Sequence, residues 1–263
     1  MKIELYDKIA LVTGSTAGIG YAIARGLAAT GAEVVINGRT QARVDEAVAR
    51  LKEDGYGRVT GVVADVSNAD GCRELIHQVP HADILINNMG IFSPQGFFDI
   101  SDEEWEQFFQ ANVMSAVRLS RYYAQLMQKQ HWGRIQFLSS ESALQIPVEM
   151  VHYGVTKTAL LAVSRGLAET LSGSGVTVNA VLPGPTKSEG VSVFLDKMAA
   201  EQGVSVAEME ASFIREHRPT SLIGRFASVE EVANLCVYLA SQQASATTGA
   251  AMRVDGGVVR SIA

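Results

Sequence analysis

Ile9-Ala10-Leu11-Val12-Thr13-Gly14-Ser15-Thr16-Ala17-Gly18-Ile19-Gly20 is the stretch that decides the fold of this chain. Four apolar residues run together, and glycines at 14, 18 and 20 then punctuate the passage into an alanine-rich segment. So short an apolar run, closed by glycine, reads as a strand buried on both faces that turns directly into a helix. Gly14 permits a tight turn, Gly18 lets backbone N–H groups approach a pyrophosphate, and Gly20 lets the helix pack closely. The helix N-terminus adds partial positive charge that favours an anion. Ser15, Thr16 and Ile19 complete the loop. The spacing is Gly-x3-Gly-x-Gly, not the commoner Gly-x-Gly-x2-Gly, and a plain strand–helix turn also fits it. Its place at the first strand–helix junction favours a dinucleotide site.

Outward from this turn, strand-like runs near 9–13, 33–37, 58–64, 84–88, 133–139, 177–182 and 251–254 alternate with helix-like segments. The helical segments lie near 18–29, 40–54, 68–79, 102–130, 153–172 and 229–241. Strands separated by helices imply right-handed crossovers and a parallel sheet covered on both faces. The expectation is one doubly wound, seven-stranded α/β domain over residues 1–263. Ser101-Asp102-Glu103-Glu104 and Ser228-Val229-Glu230-Glu231 both match a capping box. From 187 to 221 no strand is evident, and because this stretch follows a strand end it reads as a substrate lid.

Composition narrows the class. The net charge is −6 and no basic run occurs, which argues against nucleic acid or an anionic membrane as partner. No stretch approaches the ~18 apolar residues of a membrane span, and the N-terminus lacks a signal-peptide layout. A soluble cytoplasmic protein is expected. Cys72 and Cys236 show no metal-ligand spacing, nor do the histidines, so two reduced thiols and no metal site are expected.

The end of the second strand bears on the choice of cofactor. An acidic residue there would bond a ribose 2′-OH and repel a 2′-phosphate. This chain has Asn37-Gly38-Arg39, with no acid and one cation, which favours NADP(H) over NAD(H).

Tyr153 and Lys157, four apart on a helix, share one face. An ammonium beside a phenol favours the phenolate, and Ser140 could hold a carbonyl or alcohol oxygen against it. Together these residues suggest proton transfer coupled to hydride transfer.

Thr13-Gly14-x3-Gly18-Ile19-Gly20, Asp65-Val66, Asn87-Asn88-Met89-Gly90, the series Asn112, Ser140, Tyr153, Lys157, and Pro183-Gly184-Pro185-Thr186 together resemble the short-chain dehydrogenase/reductase family. Gly224-Arg225-Phe226 and Val254-Asp255-Gly256-Gly257 extend the resemblance over nearly the whole chain. Met89 stands where that family usually has Ala. The resemblance implies a Rossmann-type sheet and a catalytic tetrad of Asn112, Ser140, Tyr153 and Lys157. In it Tyr153 is the general acid/base, Lys157 lowers the phenol's pKa and bonds the nicotinamide ribose, Ser140 positions the substrate oxygen, and Asn112 holds a relay water. It further implies cofactor contacts at Asp65 and Val66 (adenine), Asn87 and Gly90, and Pro183, Gly184 and Thr186 (nicotinamide side), and a homotetramer.

The substrate implied is a ketone or secondary alcohol, in a pocket bounded by Ser140, Glu141, Leu144, Ile146, Val148, Tyr153 and the 187–221 segment, whose apolar members suggest a ketone with substantial hydrophobic surface. A 3-oxoacyl-[acyl-carrier-protein] reductase is the alternative. It is weakened because Ser172-Gly173-Ser174-Gly175 stands where such reductases often carry Arg. A non-catalytic dinucleotide sensor is a third reading, disfavoured by the intact tetrad.

Overall fold

The computed structural model describes residues 2–262. Its main sheet has seven parallel strands: β1 (Ile9–Val12), β2 (Glu33–Gly38), β3 (Val59–Val63), β4 (Ile84–Asn87), β5 (Gly133–Leu138), β6 (Val176–Pro183) and, last in the chain, β9 (Ala251–Val254). They lie in the order β3-β2-β1-β4-β5-β6-β9. Val12 stands opposite Ile36 on one side and Ile86 on the other. The order reverses between β1 and β4, which opens a crevice beyond their C-terminal ends.

Strand residues alternate between two cores. Ala10, Val12, Val34, Ile36, Ile84 and Ile86 pack on the face covered by α1 (Gly18–Ala29) and α9 (Val229–Ala240). Leu11, Val35 and Leu85 point to the opposite face, against α3 (Ala69–Gln78), α5 (Ser115–Lys129) and α6 (Val151–Thr170). This explains why the central strands read as unbroken apolar runs: successive residues are buried on opposite faces. Cys72 and Cys236 are free thiols in opposite cores. Among the described residues no helix is long and apolar enough to cross a membrane.

Three local expectations change. The helix expected over 102–130 is α4 (Asp102–Phe109), a π-helical turn Gln110–Met114, and then α5. Such wide turns recur at functional sites, and Asn112 lies within this one. The capping box at Ser101 is half made. Ser101 Oγ accepts from Glu104 N–H (3.2 Å), but the Glu104 carboxylate turns to His152 Nε2 (3.5 Å). At Ser228 both halves are present.

The third change concerns 187–221. Beyond the short strand β7 (Thr186–Lys187), two helices form, α7 (Glu189–Gln202) and α8 (Val206–His217). Ser205 and Glu208 make a full capping box for α8, a signal present in Ser205-Val206-Ala207-Glu208. Leu195, Ala199, Met209, Ile214 and Phe226 give these helices a small core of their own. β7 pairs with β8 (Ala227–Ser228) and so returns the chain to α9. The remaining helix, α2 (Gln41–Glu53), packs on β2 and β3.

Candidate active site

The glycine turn is held by side chains from three strands. Gly14 and Gly18 adopt φ of +60° and +57°, a region that costs any other residue strain. Asn37 Oδ1 accepts from Gly14 N–H (3.3 Å), while its Nδ2 donates to the carbonyls of Val62 and Ala64 (3.3 and 3.1 Å). Asn88 Nδ2 donates to the Thr13 and Gly14 carbonyls (3.0 and 2.9 Å). Thr13 Oγ1 accepts from the backbone of Asn88 and Met89 (3.1 and 3.0 Å). Ser15 is buried and spends its hydroxyl on the Val12 carbonyl (2.7 Å).

Beside the turn lies a cavity of about 230 Å³ between Gly14, Thr16 and Ala17, the β2 end at Asn37–Arg39, Ala64–Val66, and Asn88–Ile91. A methyl group at Gly20 would lie 2.5 Å from Asn88 Nδ2 and from the Gly14 carbonyl, so the bare backbone is required there. This cradle suits the adenosine and pyrophosphate half of a dinucleotide: N–H groups at a helix start, room without side chains, and a crevice at the strand-order reversal. Arg39 is exposed at its rim and makes no ion pair among the described residues. Asp65 caps its own turn through Ser67 N–H (3.1 Å). Asn87 donates to Ser120 Oγ (3.1 Å), and its buried Oδ1 has no partner among the described residues.

Gly90 joins cradle and reaction centre. A Cβ there would lie 3.3 Å from Lys157 Nζ and 3.4 Å from Asn112 Oδ1. Lys157 Nζ donates to the Leu138 carbonyl at the end of β5 (2.8 Å) and lies 5.5 Å from the Tyr153 ring centre. Burial lowers this ammonium to a pKa of about 8. Burial likewise pushes the Tyr153 phenol up to about 12, against a smaller downward pull from the neighbouring Ser140. The expected lowering by Lys157 is therefore not the dominant influence here: desolvation disfavours phenolate and ammonium alike.

The Asn112 side chain is engaged by the loop after Gly90 and by α6. Its Oδ1 accepts from Ile91 N–H (2.7 Å), and Nδ2 donates to the Ile91 carbonyl and Thr156 Oγ1 (both 3.0 Å). The side chain braces the loop after Gly90 against α6. Ser140 is buried after β5, donates to Glu141 Oε2 (2.5 Å) and accepts from Ser142 N–H (3.1 Å). Thr186 is buried in β7 and donates to the Gly184 carbonyl (2.9 Å). Gly184 packs so tightly that a Cβ would lie 2.6 Å from the Asp255 carbonyl, and its N–H reaches the Val254 carbonyl (3.3 Å) at the end of β6, where Pro183 lies.

The comparisons with known proteins agree along the full length. A family model described as "Enoyl-(Acyl carrier protein) reductase" matches residues 14–259. The chain is 47% identical to the uncharacterized oxidoreductase YvaG of Bacillus subtilis over 263 residues, covering all of both chains. It is 33% identical to the 3-oxoacyl-[acyl-carrier-protein] reductase FabG of Aquifex aeolicus, over 98% of this chain and 100% of that one. Among solved structures, L-sorbose reductase from Gluconobacter frateurii, complexed with NADPH and L-sorbose, superposes with a TM-score of 0.94 at 34% identity, covering all of both chains. The chain belongs to the short-chain dehydrogenase/reductase family. It is an oxidoreductase of that type.

For this family member, the structure gathers Asn112, Ser140, Tyr153 and Lys157 around Gly90 and the ends of β4 and β5. Two polar residues beside them had little or no sequence signal. Glu141, expected only as a pocket candidate, is buried and accepts from Ser140 and Ser142. Arg218, from the end of α8, donates to Glu141 Oε1 (2.6 Å). The apolar pocket candidates Leu144, Ile146 and Val148 are all exposed. No cluster of three or more His, Cys, Asp or Glu among the described residues could hold a metal ion.

Proposed function

We propose that the protein interconverts a ketone and a secondary alcohol with NADP(H), using Tyr153 as the acid/base. The observation that carries this reading is Gly90, whose bare Cα brings the nucleotide cradle against Lys157 and Asn112. A bound nicotinamide would supply the hydride exchange with the substrate carbon. The protein's own residues do the rest. Tyr153 gives its proton to the carbonyl oxygen in reduction and takes one back in oxidation. Ser140 orients that oxygen, Lys157 sets a cation beneath the ring edge, and Asn112 keeps the Gly90 loop against α6.

Gly14, Thr16, Gly18, Ile19 and Gly20 would wrap the pyrophosphate, with Asp65 and Val66 at the adenine; Ser15, buried and bonded to Val12 and Asn37, would support the turn from behind. Asn87, Gly90, Pro183, Gly184 and Thr186 would border the nicotinamide half. Exposed Arg39, with no carboxylate beside it, would pair with a 2′-phosphate. The charged groups beside Ser140 favour a hydroxylated ketone over a purely apolar one, in keeping with L-sorbose in the similar reductase. Helices α7 and α8 would act as the lid, and the active form would be a homotetramer.

The test is turnover of a panel of ketoses and simple ketones with NADPH and NADH. Tyr153→Phe is expected to cut kcat by about 10²–10⁴ while leaving NADPH binding intact. Unchanged turnover in this variant would remove Tyr153 from the mechanism. Arg39→Ala should raise KM for NADPH alone; an equal rise for NADH would overturn the 2′-phosphate assignment.

A further inference from the structure

The Ser140 hydroxyl has a single proton, and in this structure a carboxylate holds it. Ser140 Oγ donates to Glu141 Oε2 at 2.5 Å, and the same oxygen accepts from Ser142 N–H (2.5 Å) and Ser142 Oγ (2.8 Å). The other carboxylate oxygen accepts from Arg218 Nε at 2.6 Å. Both charged side chains are deep: 4% of Glu141 and 11% of Arg218 remain exposed. Arg218 comes from a distant part of the chain. Its N–H closes the last turn of α8 on the Ile214 carbonyl, and its Nη1 lies 3.6 Å from Glu149 Oε1, just before α6.

Charged groups are expensive to bury unless paired. Here the pairing joins three elements that the reaction needs together: the strand end bearing Ser140, the start of the Tyr153 helix, and the helical cap. We infer that Glu141 and Arg218 are a positioning pair, in which Glu141 holds the Ser140 proton and competes for it with the substrate oxygen, while Arg218 brings in the cap and cancels the carboxylate's charge. The inference rests on the proposed roles of Ser140 and Tyr153.

The competition has a chemical direction. With its proton on Glu141, Ser140 offers lone pairs, one of them already taken by Ser142 N–H at 3.1 Å. Such a hydroxyl accepts from an alcohol O–H but donates nothing to a carbonyl. Tyr153 then carries the donation to a ketone by itself. The pair also acts on Tyr153 through space, with Glu141 raising the phenol's pKa and Arg218 lowering it. Lys157, also on α6, lies 5.5 Å from the Tyr153 ring centre, and Glu149, just before α6, faces Arg218. The His152–Glu104 contact lies at the preceding residue of α6, packed under Trp105 and Phe108.

The readout is the near-ultraviolet phenolate absorbance that Tyr153→Phe removes, titrated in the protein alone and with NADP⁺ added. Glu141→Gln is expected to move the Tyr153 titration down, and Arg218→Met to move it up. The double variant should return close to the natural value, and Arg218→Lys should restore it. A pair without influence on the phenol would give no shift in any of these variants. If Arg218→Met does not fold, Glu141→Gln and the double variant still decide the matter. Shifts of the same sign, or none, would overturn the inference. This titration needs no turnover, so its failure is distinct from that of the proposed function, which falls on the kinetics of Tyr153→Phe.

Discussion

At the glycine turn, Thr13, Asn37 and Asn88 bond backbone groups across the C-terminal ends of β1, β2 and β4, the central strands of the sheet. The cap of α7 and α8 is held differently. Among the described residues it has five buried core residues of its own and a two-residue strand pairing. It adds the Lys187–Glu210 ion pair and the reach of Arg218 to Glu141. One region is set by backbone geometry that the main core enforces, the other by a few side chains and charges. A cofactor common to many reactions suits a preformed cradle; a part that contacts variable substrates suits a loosely attached one.

Lys157 tests the sheet side most strongly, because a buried cation with no carboxylate beside it needs a rigid surround. Its folded pKa of about 8 lies below the ordinary lysine value of 10.5. The folded state therefore binds fewer protons between these values, and stability rises as pH climbs through them. Relative to Lys157→Met, the cofactor-free natural protein should gain about 3 kcal/mol between pH 8 and 10.5, read by denaturant titration. A flat difference would show that the lysine is solvated.

Glycine pairs sharpen the contrast. Gly20→Ala drives a methyl into Asn88 and the Gly14 carbonyl. It should cost about 1–3 kcal/mol and weaken NADPH binding, measured by melting and cofactor fluorescence. Gly190→Ala, in the first turn of α7 with nothing within 4 Å, should cost nothing and stabilise α7 by up to ~1 kcal/mol. Equal losses would erase the distinction between the regions.

The capping boxes give the smallest effect. Ser228→Ala, at the head of a helix packed on the main core, should lower global stability by about 1 kcal/mol. Ser205→Ala removes the corresponding N–H···Oγ cap, from Glu208, but should show chiefly as faster amide exchange in α8. Global loss of the same size from both would mean that the cap unfolds with the sheet.

The sheet was legible because its strands lie buried on both faces and so leave unmixed apolar runs, as in Ile84-Leu85-Ile86. The glycine turn was legible because positive φ and close approach admit few other residues. α7 and α8 were not, since their apolar residues pack mainly on each other and leave a weak pattern, although the Ser205–Glu208 box was there to be read. The full box expected at Ser101 failed because Glu104 found a tertiary partner in His152. That Asn112 braces Ile91 and Thr156 was not legible either, because those partners lie 21 and 44 residues away in the chain.

The order of strands and helices, the glycine turn and the Tyr153–Lys157 face follow from local chain properties: apolar period, glycine freedom and helical spacing. The π turn at Asn112, the raised phenol of Tyr153 and the contact of Arg218 with Glu141 depend on groups 21 to 77 residues apart in the chain or on burial itself. Hydrogen bonding and desolvation act through space, so only the folded chain decided which proton, which charge and which hydroxyl meet at Ser140.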